Sequence, residues 1–192
     1  MKPYSGILRM RLCSLIALTS MILSCALGYA GQSINGFRDL TFGMTEQEVS
    51  AIPACRSSTE CLYELTDKNR YLELTYLSET ASSIAESSGT APISKLAKIT
   101  IDMGPYTDEW HQQLQVILGE SYRLTHDLTE ATMQSFAAGQ HDELNVGYED
   151  GRVLLKIVRR PFGNLAMQVV YQNADLAANF IQHLQAEATS SK

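Results

Sequence analysis

The sequence lacks the features that define several large classes of protein. With only five prolines and 12 glycines in 192 residues, 45% of them hydrophobic, it is neither collagen-like nor disordered. No apolar run after residue 30 is long enough to span a membrane as a helix. The sequence also has no nucleophile elbow, no phosphate-cradling run of glycines and no pair of histidines at zinc spacing. We therefore expect a globular protein without a catalytic centre, a metal site or a cofactor.

The charge balance disfavours one class of partner. Residues 1–30 contain three of the 15 basic residues and none of the 21 acidic ones, so residues 31–192 carry a net charge of −9. An acidic surface of this size repels phosphate backbones. Nucleic acid is therefore not an expected partner.

Residues 1–30 have the layout of a secretory signal peptide. Basic residues precede an apolar run, and small residues lead to a cleavage site after Ala30. A second interpretation takes Ile22-Leu23-Ser24-Cys25 as a lipobox, in which Cys25 is acylated and tethers an outer-membrane lipoprotein. A third leaves the leader uncleaved as an anchor. Each interpretation predicts a folded domain outside the cytoplasm, in the periplasm, that meets a membrane only through a lipid anchor or the leader.

Cysteine usage is consistent with this location. Only Cys55 and Cys61 remain after cleavage at Ala30, and an even pair in an oxidising compartment is most simply a disulfide. Redox activity is disfavoured because the pair is not Cys-x-x-Cys, and a metal would need more ligands than two thiols supply. The pair is therefore predicted to be structural.

Residues 31–104 are predicted to form a helix followed by three strands. Thr45 and Glu48 form a capping box, and Pro53 ends the helix. Alternating apolar residues predict strands at 61–66, 71–77 and 96–103. The expected connections are a turn at Asp67-Lys68-Asn69-Arg70 and a surface loop over 78–94.

Residues 105–188 repeat this pattern and add a helix. A helix capped by Thr107 and stopped by Gly119 should bury four apolar residues, Trp110, Leu114, Ile117 and Leu118. Between 120 and 142 only a short helix over 129–138 is suggested. Strands follow at 144–148, 153–158 and 165–171, the first two joined by a turn at Asp150-Gly151. A final helix from Asn173 should bury Leu176, Phe180, Ile181 and Leu184, before a flexible tail at 189–192.

The predicted order of elements indicates an α+β fold. Two α-β-β-β halves, 31–104 and 105–188, suggest an internal repeat whose helix starts lie 62 residues apart. Consecutive strands with one apolar side favour an antiparallel sheet. We expect the helices to pack on one face of this sheet and the other face to remain solvated.

The start of the first helix resembles a known family. Residues 34–52, INGFRDLTFGMTEQEVSAI, contain Gly43-Met44-Thr45 followed by Val49. This segment resembles the repeat of small exported bacterial proteins of the β-lactamase-inhibitor-like group and of outer-membrane assembly lipoproteins, and residues 98–122 are similar to the strand and second helix of periplasmic members. Over about 34–173 the resemblance implies a duplicated binding module without catalytic residues. The sequence departs from the pattern at Pro53-Ala54-Cys55 and in the long 78–94 insertion, so no contact residue of an inhibitor can be transferred.

One strand carries a candidate binding stripe. Arg152, Lys156 and Arg160 are predicted to share its outward side with Leu154 and Val158. In an acidic chain this basic stripe suits an acidic partner, a lipid headgroup or a polyanionic polymer. The alternative is a solvated sheet face on which lysine and arginine prevent aggregation.

The expected function is non-enzymatic binding of an envelope or secreted protein through a sheet face. A first alternative is an outer-membrane lipoprotein with a structural or assembly role, tethered at Cys25. A second is a hydrolase or small-ligand-binding protein, which a pocket gathering His126 or His141 with carboxylates would favour. The segment His141-Asp142-Glu143 is interpreted as a polar loop, because three consecutive residues rarely point at one metal ion.

Overall fold

The computed structural model describes residues 34–78 and 93–190, with the backbone alone at 187–190. The predicted signal peptide, Cys25 and nearly all of the predicted 78–94 loop lie outside the described residues. The described strands are β1 Gly36–Phe37, β2 Leu40–Thr41, β3 Glu60–Leu65, β4 Lys68–Ser78, β5 Ser94–Pro105, β6 Leu124–His126, β7 Glu143–Tyr148, β8 Val153–Arg159 and β9 Leu165–Gln172. The described helices are α1 Glu46–Ser50, α2 Asp108–Ser121, α3 Glu130–Ala137 and α4 Ala174–Ser190.

The protein is an α+β fold built on one large antiparallel sheet. Seven strands pair in the order β3-β4-β5-β9-β8-β7-β6, and β1 and β2 form a separate two-stranded sheet. The alternation predicted from the sequence is confirmed on the side that we call the inner face. Its buried residues form one core, which includes Leu72, Leu74, Ile99, Ile101, Val146, Tyr148, Val153, Leu155, Met167 and Val169.

Helices α1, α2 and α3 contribute to the core on the inner face. The Thr45–Glu48 capping box is confirmed, although α1 already ends at Ser50, before Pro53. Leu114 and Leu118 of α2 are buried as predicted, but Ile117 is 45% exposed because it lies beside rather than on the packed side. Helix α2 also continues past Gly119 to Ser121, so this glycine does not stop it. Trp110 is half-buried against the core.

Two turns differ from their predicted positions. β3 and β4 are joined by Thr66-Asp67, whose φ values are 50° and 59°, and not by the four residues from Asp67 to Arg70. This two-residue turn matches the right-handed twist of paired strands, so β4 begins at Lys68. Asp150-Gly151 lies within a four-residue loop, because Tyr148 pairs with Val153. β6, which the sequence did not predict, pairs with β7 at the sheet edge.

The prediction that all helices pack on one face is wrong for α4. Phe180 of α4 lies over Gly147, where a Cβ atom would stand 3.5 Å from its ring. Gly147 is flanked in β7 by the inner-face residues Val146 and Tyr148, so this contact lies on the opposite side, which we call the outer face. Gly147 leaves room for the ring because it has no side chain. Among the described side chains of α4, Ala177 is the most deeply buried, with 2% exposed.

The apolar residues predicted to be buried by the last helix are only half-covered. Leu176, Phe180, Ile181 and Leu184 all keep intermediate exposure, because no further layer of the described chain covers α4 on the sheet surface. The helix continues to Ser190, which places its last residues inside the predicted tail.

A disulfide fastens the chain to the outermost strand of the sheet. Cys55 and Cys61 are bonded, as predicted, and Cys61 is fully buried. Next to the bond, the backbone N–H of Leu62 donates to the carbonyl of Ala54 at 2.8 Å. The segment before β3 therefore occupies part of the strand edge that would otherwise be free to pair with another chain.

We expect removal of the disulfide to destabilise the protein by about 2 kcal/mol, because the bond restricts a short loop in the unfolded chain. The test is urea denaturation of the protein and of the Cys55→Ala/Cys61→Ala variant, each with and without reductant. Reductant should lower the midpoint of the protein and leave the variant unchanged. Identical midpoints for all four samples would show that the bond contributes nothing.

We expect Phe180→Ala to lower the free energy of unfolding by about 1.5 kcal/mol, since a half-buried aromatic ring is lost from the outer face. Asn179→Ala, an exposed change in the same helix turn, should cost less than about 0.5 kcal/mol. Equal effects of both substitutions in urea denaturation would contradict the packing of α4 on the sheet.

Candidate functional site

The outer face has a covered and an open part. Near α4, Leu154 of β8 and Val170 of β9 point outward and are each 3% exposed. Farther along the sheet, β4 and β5 present polar outer residues such as Glu73 and Thr100, which lie opposite each other. The open part is therefore a polar surface beside an apolar contact with a helix.

The basic stripe predicted from the sequence is largely neutralised. Nζ of Lys156 lies 2.7 Å from Oε2 of Glu143, and the side chain of Lys156 is only 19% exposed. The guanidinium of Arg160 pairs with Asp102 of β5. Although burial raises the pKa of Glu143, the hydrogen bond and charge of Lys156 bring the net pKa below its usual value. Two of the three cations are thus held by carboxylates of the same sheet.

The other three residues of the stripe are hydrogen-bonded or at least half-buried. Arg152 donates from Nε to the carbonyl of Gln172 at 3.3 Å and from its terminal nitrogen to the carbonyl of Ile34. Leu154 is buried on the face that carries α4, and Val158 is half-buried. The structure therefore brings the five residues to one side of β8 and its ends, but not as an open cationic surface. Their binding role stays a prediction.

A groove of about 470 Å³ crosses the open part of the outer face. We call it the acidic groove and define it by six of its lining residues, Glu60, Tyr71, Glu73, Thr100, Asp102 and Gln168. They come from four neighbouring strands, β3, β4, β5 and β9. None of the described residues that line the groove is Lys, Arg or His.

Two carboxylates of the acidic groove oppose each other directly. Glu60 of β3 pairs in register with Glu73 of β4, and both side chains are exposed. Neither has an ion pair or a side-chain hydrogen bond to another described residue. Like charges at directly opposite positions destabilise an antiparallel pair.

The remaining polar groups of the acidic groove differ in how well they are satisfied. Asp102 accepts from the backbone N–H of Gly104 at 2.8 Å and binds Arg160. Thr100 is only 9% exposed, and its hydroxyl has no hydrogen bond to the part of the chain that the structure describes. Tyr71 is 49% exposed, with the guanidinium of Arg56 at 5.8 Å from its ring centroid.

A second pocket, of about 270 Å³, lies at the edge of β7. Its lining includes His126, His141, Asp142, Glu143 and Asn145, together with Leu184 of α4. Oδ1 of Asn145 is buried without a hydrogen-bond partner. Among the described residues, no three His, Cys, Asp or Glu side chains are grouped closely enough to hold a metal ion.

The acidic groove was not predicted from the sequence, although the alternation of apolar and polar residues in its strands was. The alternation in β5 already placed Thr100 and Asp102 on the solvated side of that strand. What the sequence could not supply was the register that sets Glu60 against Glu73. Glu60 itself lay outside the predicted strand 61–66.

No helix in the described segments is both long enough and apolar enough to cross a membrane.

Comparison with known proteins gives no assignment. No protein-family model, no curated protein and no solved structure matches this chain. The resemblance to the β-lactamase-inhibitor-like group stays a prediction that depends on Gly43, Met44, Thr45 and Val49.

We expect Glu73→Gln to raise the free energy of unfolding by roughly 0.5 kcal/mol, because it removes the repulsion from Glu60. The gain should shrink in 1 M salt, which screens exposed charges. Glu64→Gln is the matched control, since Glu64 lies opposite the neutral Asn69 and its substitution should change stability little. Equal effects of the two substitutions would show that Glu60 and Glu73 do not repel each other.

Proposed function

We propose that the protein is a non-enzymatic exported module that binds another protein through the open part of its outer sheet face. The observation that carries this proposal is the uneven covering of the sheet. The inner face supplies the core, whereas the outer face is covered near β8 and open over β4 and β5. The half-exposed ring of Tyr71 gives this polar surface the kind of aromatic anchor that interfaces favour.

The proposed location is the periplasm. A disulfide between Cys55 and Cys61 is compatible with an oxidising compartment, where such bonds persist. An outer-membrane lipoprotein tethered at Cys25 is the alternative, with the same folded domain and an assembly role. Mass spectrometry of the mature N-terminus separates the two, because acylated Cys25 and unmodified Gly31 differ in mass and sequence.

We also propose that the domain is a duplication of two α-β-β-β halves. The strand order supports this, because β5 and β9 each end a three-stranded meander and pair with each other at the centre of the sheet. A helix with a threonine N-cap precedes each meander, although α1 has five residues and α2 has 14, and β6 and α3 are additional in the second half.

The pocket at the edge of β7 favours a second candidate function, binding of a small ligand or hydrolysis. It gathers His126 and His141 with the carboxylates of Asp142 and Glu143, the combination of residues expected for this alternative. Glu143, however, is held by Lys156 with a lowered pKa, which does not suit it to act as a general acid. The pocket better fits a ligand that donates a hydrogen bond to Oδ1 of Asn145.

Site-specific crosslinking in intact cells tests the proposed function. A photoreactive benzoylphenylalanine at Tyr71 should capture one discrete protein partner from the cell envelope. The same residue at Ile117 is the control, because Ile117 of α2 is about as exposed, 45% against 49%, but lies outside the sheet. Capture at Ile117 alone, or at neither position, would contradict binding through the outer face.

A further inference from the structure

We propose that the acidic groove binds a basic segment of the partner, with arginine or lysine side chains placed between Glu60 and Glu73. This inference rests on the proposed function and specifies the chemistry of the partner. It depends on two independent features of the groove, an uncompensated pair of carboxylates and a largely buried threonine, Thr100, whose hydroxyl has no hydrogen-bond partner among the described residues.

The carboxylate pair supplies the charge complementarity. Glu60 and Glu73 face each other across β3 and β4, and no ion pair to a described residue relieves their repulsion. A guanidinium or ammonium group between them would replace this repulsion with two attractions. Neighbouring strands lie about 4.8 Å apart, so one guanidinium can reach both carboxylates.

Thr100 supplies the second observation. The residue is 9% exposed and lines the groove directly beside Glu73, its register partner in β4. Its hydroxyl makes no hydrogen bond to another described residue and stays accessible from the groove, so a bound segment can reach it. A donor from a bound segment would satisfy it, and a guanidinium, with five N–H groups, can serve the hydroxyl and a carboxylate together.

The described cations around the acidic groove do not neutralise the charges of Glu60 and Glu73. Arg160 is held by Asp102, and Arg56 lies against the ring of Tyr71 at 5.8 Å. Lys98 lies opposite Thr75, two residues along the strand from the position opposite Glu73, and makes no ion pair with a described carboxylate. The position of Arg56 also shows that a guanidinium fits against the aromatic rim of this groove.

The shape of the site favours a polypeptide over a single ion. The groove extends across four strands and has a volume of about 470 Å³, far more than one metal ion needs. No group of three acidic, His or Cys side chains in the described segments is arranged to hold a metal. An extended basic segment can instead place successive side chains along the groove.

Calorimetric titration of the exported protein with a hexa-arginine peptide tests the proposal. Glu60→Gln/Glu73→Gln should weaken binding at least tenfold, and Thr100→Val about threefold. The matched control is Glu64→Gln/Glu120→Gln, which removes the same charge from two exposed positions outside the groove and should change binding less than twofold. All variants should keep the denaturation midpoint of the protein or exceed it.

Three results would overturn the proposal: no binding of the peptide, equal weakening by the groove and control variants, or displacement of the peptide by millimolar calcium, which would indicate a metal site. Crosslinking from Tyr71 distinguishes this failure from failure of the proposed function. If Glu60→Gln/Glu73→Gln keeps the crosslinked partner, the binding module stands and the basic segment is wrong. If the crosslinker at position 71 captures no partner when Glu60 and Glu73 are unchanged, both the proposed function and the basic segment are wrong.

Discussion

The pairing of β5 with β9 is the constraint on which the rest of the structure depends. It joins two three-stranded meanders into one sheet, and its register decides which residues are buried. Ile101 lies opposite Val169 on the inner face, and their neighbours Thr100 and Gln168 consequently face outward. A shift of one residue would exchange the two sets, so the core and the acidic groove are fixed by the same hydrogen bonds.

Helix α4 divides the outer face into an apolar and a polar part. Where α4 packs, the outer face consists of buried apolar residues, Leu154 of β8 and Val170 of β9. Where it does not reach, the groove contains Glu73 and Thr100, whose side chains make no ion pair or hydrogen bond with other residues of the described segments. Unfavourable local contacts in an otherwise well-packed domain are typical of a binding surface, because a partner can relieve them.

The sequence was sufficient for most strands, the disulfide and the capped helix starts, since these depend on local periodicity and capping chemistry. It was insufficient wherever distant segments meet. Leu154 looked solvated in the pattern of its own strand but lies on the face covered by α4. Lys156 and Arg160 looked like free cations, yet their acidic partners come from β7 and β5. The opposed Glu60 and Glu73 followed from the two-residue turn Thr66-Asp67, which replaces the predicted four-residue turn.

Carboxyl footprinting tests the central claim most directly. Carbodiimide and glycine ethyl ester modify accessible carboxylates, and mass spectrometry measures the extent at each residue. Glu60 and Glu73 should be modified in the isolated protein and protected in intact cell envelopes, whereas Glu120, exposed at the end of α2, should be modified equally in both. Equal modification of all three residues in the two samples would contradict a partner on the open sheet face.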